Sequence, residues 1–173
     1  MDLIRAIPEL NLYEDSSKIY TFADHQPPQF TGADADVKTS LLSEGCEVYG
    51  SVYNSTLGPD VIVEKGAVVQ DSIIMGGCVI GENTQIERCI IDENSVIGSN
   101  TKIGLGENIP NKLKPRIYDT GITVIGEGSV IPDGIIIGKN CVIHGVTNVN
   151  HYVGMRLNSG ETIELDTGIG GVV

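Results

Sequence analysis

The fold the sequence predicts is all-β: a parallel β-helix of hexapeptide repeats wound as a triangular prism, with an extended or partly helical N-terminal arm. Two observations predict it. Aliphatic positions return every 17 residues, and the composition, with 22 glycines and no Trp in 173 residues, suits a coil of many turns better than a large layered core. Val52, Val69, Ile86 and Ile103 are spaced 17 apart, Leu57, Ile74 and Ile91 form a second column, and Val63, Ile80 and Ile97 form a third. The steps within one coil are therefore five, six and six. A prism needs such anchors: three short strands per coil, each sending one side chain to the axis and pairing in parallel with the same strand of the next coil.

The elements follow in chain order. Residues 1–34 lie outside the repeat and resemble a connector more than an independently stable domain. In it "MDLIRAIPEL" is a candidate short helix ending near Pro8, and Pro27 and Pro28 force "DHQPPQF" to run extended. Residues 35–173 form the prism. Val37, Leu42 and Val48 open it, and a short four-residue step then leads to Val52. An inserted loop over about 104–124, "GLGENIPNKLKPRIYDTGITV", interrupts the coils, and Ile125, Ile131, Ile137 and Ile143 resume them. The tail after His144 alternates more loosely and is expected to cover the open end, blunting an edge that would invite pairing.

The residue four beyond an anchor should also point inward. That places Cys46, Val61, Cys78 and Ser95 in one column, Ala67, Thr84 and Thr101 in another, and a third column holds Ser55, Ser72 and Cys89. The cysteines are thereby accounted for as reduced core residues. No C-x-x-C or Cys/His spacing points to zinc or a redox pair. Gly58, Gly66, Gly76, Gly77, Gly81, Gly98 and Gly104 fall near the corners, while Glu64, Asp71, Glu82, Asn83, Asp92 and Asn94 face solvent or cap turns.

A formal net charge of -12, from 11 basic and 23 acidic residues, argues against nucleic acid or an anionic membrane as the main partner. A local basic cluster can still hold a small anion. The N-terminus lacks the pattern of a signal peptide, and no apolar run reaches the roughly 18 residues needed to span a bilayer. A cytoplasmic protein is expected.

Three stretches, "NLYEDSSKIYT", "NSTLGPDVIVEKGAVVQDSIIMGGCVIGENTQIERCIIDENSVIG" and "IGLGENIP" with "GITVIGEGSVIPDG", together resemble the carboxyl-terminal part of bacterial glucose-1-phosphate adenylyltransferase, the ADP-glucose pyrophosphorylase family. The resemblance covers nearly the whole chain, and it supplies the left hand of the predicted helix. It implies a parent reaction in glycogen or starch synthesis, in which ATP and glucose 1-phosphate give ADP-glucose and pyrophosphate with Mg2+ accompanying the ATP. It also implies that the β-helical part serves oligomerisation, as a homo-oligomer and by family analogy a tetramer, and allosteric control. The nucleotide-binding domain of that family, with its phosphate loop and metal-binding acids, has no counterpart in this sequence. "GLGEN" is only a weak glycine match. The chain alone is expected to hold no catalytic residue, no cofactor and no metal, and to be inactive by itself.

The candidate effector- or anion-binding residues are Arg88 in "IERCIID", where the family places arginines near an effector interface, and Lys112, Lys114 and Arg116, the clearest basic cluster, in the insertion. A sugar phosphate or another anion is the implied effector. For each, a solvated surface residue is the competing reading. Two other functions stand against this one. The first is a hexapeptide acyltransferase, for which His144 or His151 would be the base. The second is a stand-alone noncatalytic regulatory subunit. His144 directly follows a core anchor and so should face outward, while His25 reads as a connector residue.

Overall fold

The computed structural model describes residues 26–165 continuously, together with isolated positions among residues 3–16. Three parallel sheets enclose one axial core. The first stacks Phe30–Thr31, Glu47–Val48, Ile62–Val63, Val79–Ile80, Val96–Ile97 and Val130–Ile131. The second stacks Asp36–Lys38, Ser51–Tyr53, Val68–Gln70, Gln85–Glu87, Lys102–Ile103, Ile136–Ile137 and Arg156–Leu157. The third stacks Leu41–Leu42, Thr56–Leu57, Ile73–Ile74, Cys89–Ile91, Thr123–Ile125, Val142–His144 and Thr162–Glu164. The expected anchors meet in register: Val69 beside Ile86 beside Ile103, Ile74 beside Ile91, and Val63 beside Ile80 beside Ile97.

The anchors are buried because each strand presents one side chain to the axis and the next to solvent, so that Ile86 is 1% exposed between outward Gln85 and half-buried Glu87. Backbone groups are satisfied from coil to coil, as in Val79 N–H donating to the Ser95 carbonyl at 3.0 Å and Gly81 N–H to that of Ile97 at 2.8 Å. The small polar columns serve the same end. Ser72 N–H donates to Ser55 Oγ at 3.1 Å and Cys89 N–H to Ser72 Oγ at 3.0 Å, while Ser72 Oγ donates to the Gln70 carbonyl at 2.6 Å. These buried hydroxyls are paired, which removes the cost of placing them in an apolar core. All four cysteines are buried and free.

Corners are made by residues in the left-handed region, with Gly and Asx sharing the role: Gly45, Asp60, Gly77, Asn94 and Gly128 at one corner. A side chain at Gly77 would bring its Cβ within 2.5 Å of Asn94 Oδ1, so the Asx of one coil excludes anything but glycine beneath it. Of the glycines expected at corners, Gly66, Gly77 and Gly104 have this geometry.

Three sequence expectations change. The coils begin before residue 35: Phe30–Thr31 pairs in parallel with Glu47–Val48, a strand too short and too exposed to show as periodicity. The loop runs from Gly104 to Ile122, because Thr123 already pairs with Cys89. The tail through residue 165 is a further coil, with Arg156–Leu157 beside Ile136–Ile137 and Thr162–Glu164 beside Val142–His144, and Tyr152 joins the core with its hydroxyl 2.6 Å from Thr147 Oγ1. The candidate helix near Pro8 lies largely outside the described residues, as do His25 and residues 166–173.

The short step at Val48 also has a structural cause. Tyr49 and Gly50 turn the corner that Glu64 to Ala67 turns in the next coil, and a Cβ on Gly50 would stand 2.4 Å from the Ala67 carbonyl oxygen. Only glycine permits that approach.

Candidate functional site

The insertion leaves the second sheet at Gly104 and returns to the third at Thr123, folding back over the last coils. Two buried asparagines fix it. Asn140, at a left-handed corner, donates from Nδ2 to Asn108 Oδ1 at 2.7 Å and to the Ile109 carbonyl at 2.8 Å, and its Oδ1 accepts from Gly121 N–H at 2.7 Å. Asn111 donates from Nδ2 to the Asn140 carbonyl at 3.0 Å and to Thr162 Oγ1 at 2.9 Å, and its Oδ1 accepts from the N–H groups of Leu113 and Lys114, both at 3.0 Å. One asparagine gathers both ends of the loop, and the other starts the turn that carries the basic residues. A corner Asn such as Asn140 resembles every other corner Asn in sequence, and Asn111 lies in the insertion where no repeat applies, so neither role is legible there.

The four candidate cations divide by their partners. Arg88 sits at φ 52, in the corner column of Asn54 and Asp71, where a side chain of its kind costs roughly 1–2 kcal/mol. Its Nη2 donates to the Thr120 carbonyl at 2.7 Å, so it braces the exit of the insertion. Lys112 donates to Glu161 Oε1 at 2.9 Å, and this hydrogen bond holds the Glu161 carboxyl below its ordinary value. With Lys112 63% exposed, the pair contributes at most about 1 kcal/mol. Lys114 and Arg116 are exposed and have no side-chain partner among the described residues. The insertion thus brings three cations onto one loop and places Arg88 at its exit.

His144 is exposed on the outer face of the third sheet, as alternation requires. His151 is instead structural: its Nδ1 accepts from Asn148 N–H at 3.0 Å and closes a capping box on a short turn. Burial pushes the Cys141 thiol up to about 11 and raises Cys46, Cys78 and Cys89 as well, so none is a poised nucleophile. The described residues hold no group of three or more His, Cys, Asp or Glu able to bind a metal ion, and no transfer step through Mg2+ is assigned to them. No helix among them is long and apolar enough to cross a membrane.

Residues 27–125 match the family described as "GlmU-like, C-terminal hexapeptide". The chain belongs to that family. It is also homologous to glucose-1-phosphate adenylyltransferases, being 48% identical over 94% of its length to the one of Acetivibrio thermocellus and 49% identical over the same share to that of Thermosipho melanesiensis. The chain spans 38% and 39% of those relatives' own lengths. Among solved structures, the acetyltransferase domain of PglB from Neisseria gonorrhoeae, in complex with acetyl coenzyme A, aligns with a TM-score of 0.51 over 80% of this chain and 55% of that one, at 18% identity. That likeness is one of fold alone, and it gives His144 no catalytic role.

Proposed function

We propose that this hexapeptide-family chain acts as the carboxyl-terminal oligomerisation and regulatory part of a cytoplasmic glucose-1-phosphate adenylyltransferase and makes no ADP-glucose by itself. The observation that carries the reading is near-half identity to such enzymes along 94% of the chain, with the insertion included. The parent reaction joins ATP and glucose 1-phosphate with Mg2+, and its metal-binding and phosphate-positioning groups belong to the part of the relatives that this chain does not match.

Assembly follows from the outer face of the first sheet. Ile62, Val79, Val96 and Val130 form a column of outward apolar side chains, with Val96 41% and Val130 37% exposed. A second copy covering this column, within a tetramer, is the arrangement proposed. Regulation falls to the insertion: Lys114 and Arg116 are its unpaired cations for an anionic effector, with Arg88 and Lys112 holding the loop that presents them.

The test supplies purified chain with ATP, glucose 1-phosphate and Mg2+, and separately adds it to the Acetivibrio thermocellus relative shortened by the matching segment. The expected result is no product from the chain alone, and recovery of both oligomer mass and activity on addition. ADP-glucose from the chain alone, or no recovery of mass, would overturn the reading.

A further inference from the structure

The short step at Val48 leaves a gap in one edge of the prism. In the coils on either side, the corner between the first and second sheets is a full turn, closed by Ala35 N–H donating to the Gly32 carbonyl at 3.1 Å and Ala67 N–H to that of Glu64 at 3.2 Å. Between them Tyr49 and Gly50 make the corner alone. The edge is therefore notched, and two adjoining cavities of about 450 Å3 and about 270 Å3 share Asp34, Tyr49 and Lys65. From this groove and the aromatic rings beside it we infer a binding site for a neutral saccharide chain.

The Tyr49 ring is held in place before any ligand arrives. Its hydroxyl donates to Glu47 Oε2 at 2.7 Å, and its centroid lies 5.7 Å from that of Phe30 with the rings tilted by 50°. A Cβ on Gly32 would come within 3.1 Å of Tyr49 Cδ1, so glycine there leaves the room in which the ring sits. Phe30 is 51% exposed on the outer face of the first sheet. Exposed Glu47 separates it from the apolar column that begins at Ile62, so assembly through that column does not account for Phe30. Two tilted rings offer π faces against which the C–H faces of pyranose rings pack.

The walls of the groove supply the polar contacts. The carboxylates of Asp34, Glu64 and Glu82 and the amide of Asn83 make no side-chain hydrogen bond among the described residues. Ionised carboxylates only accept, and sugar hydroxyls that donate to them form short charge-assisted bonds. Lys65 and Asn83 can donate in return. Three carboxylates around one lysine repel an anion, while the attraction of such exposed groups for a cation is screened by salt. The length of the groove also selects. Residues 32–34, 49–51, 64–66 and 82–83 come from four successive coils, so it crosses three intercoil steps of about 4.8 Å, about 14 Å in all. That suits a short run of rings better than a single monosaccharide.

The groove belongs to the first coils and the insertion to the last, so this site goes beyond the function proposed above and is tested on the purified chain without any turnover assay. Amide NMR shifts and calorimetry would follow titration with maltoheptaose, cellohexaose, glucose and spermine. One of the two oligosaccharides is expected to saturate at about 1 mM or below, shifting residues 30–34, 49–51, 64–66 and 82–83, with the two arms telling one linkage from the other. Glucose should bind at least about tenfold more weakly, and the oligosaccharide affinity should hold within about twofold as salt is raised. Phe30→Ala and Tyr49→Ala should each cost about tenfold, whereas Tyr49→Phe, which keeps the ring, should retain binding. Phe30 is exposed, and unchanged thermal unfolding of its variant would verify the fold. No saturation by either oligosaccharide, affinity indifferent to both aromatic truncations, or shifts at these residues produced by spermine alone and lost in salt overturns the proposal. None of these results bears on oligomer mass or ADP-glucose formation, so failure here is distinct from failure of the function proposed above.

Discussion

Asn140 donates its side-chain amide to Asn108 across 2.7 Å while its own amide oxygen receives the N–H of Gly121, so one buried residue ties the entry of the insertion to its exit. The order of the loop therefore depends on a residue outside it. Asn140→Gly keeps the left-handed corner and deletes all three bonds. The expected loss of stability is roughly 2 kcal/mol, and trypsin should cut after Lys112 and Arg116 faster than in the parent chain. Limited proteolysis followed by mass spectrometry reads the second effect directly.

The axial columns make a sharper demand. Ile86→Asp would place a carboxylate where exposure is 1%, among aliphatic neighbours with no cation to pair, and should destabilise the prism by about 4 kcal/mol or more. Gln85→Asp, one residue away on the solvent face, should change stability by less than about 0.5 kcal/mol. Denaturant unfolding of the two variants compares the inside and outside of one strand.

The contrast between Ile86 and Asn140 shows what the sequence could reveal. A 17-residue recurrence places Ile86 on the axis because every coil repeats the same burial, and the same logic put Ser72 beneath Cys89 and turned His144 outward. Asn140 does its work through contacts with residues 108, 109 and 121, which no local period encodes. The first strand, Phe30–Thr31, escaped for a related reason: both residues are exposed, so it has no buried anchor to announce it. Of the candidate site, the cations were legible as a cluster. Their division into bracing residues and unpaired ones was not, because it is decided by Thr120 and Glu161.

The four buried thiols predict an alkaline limit to stability. Burial disfavours the thiolate in the folded chain, raising the Cys141 thiol to about 11, whereas an unfolded thiol ionises near 8.5. The folded state thus binds more protons through this interval, and stability falls as pH rises between about 8.5 and 11. Below that window both states keep the proton and the contribution is flat. Cys141→Ala should shallow the slope, as read by urea unfolding at several pH values. In the folded protein a thiol reagent should label none of the four cysteines rapidly, and in denaturant it should label all four.

The outer column of the first sheet gives the last prediction. Val96 and Val130 stand in neighbouring coils with their side chains directed away from the axis, so lysine at both positions leaves the core packing untouched. If a second copy covers this column, Val96→Lys with Val130→Lys buries two like charges in the contact and should lower the mass seen in sedimentation equilibrium, with thermal unfolding of the separated chain little altered. The same exchange on the second sheet, at Gln85, which is already polar and exposed, should leave the mass unchanged. Loss of assembly from the Gln85 variant but not from the double variant would move the contact from the first sheet to the second. The apolar column would then be assigned to the part of the relatives that this chain does not span.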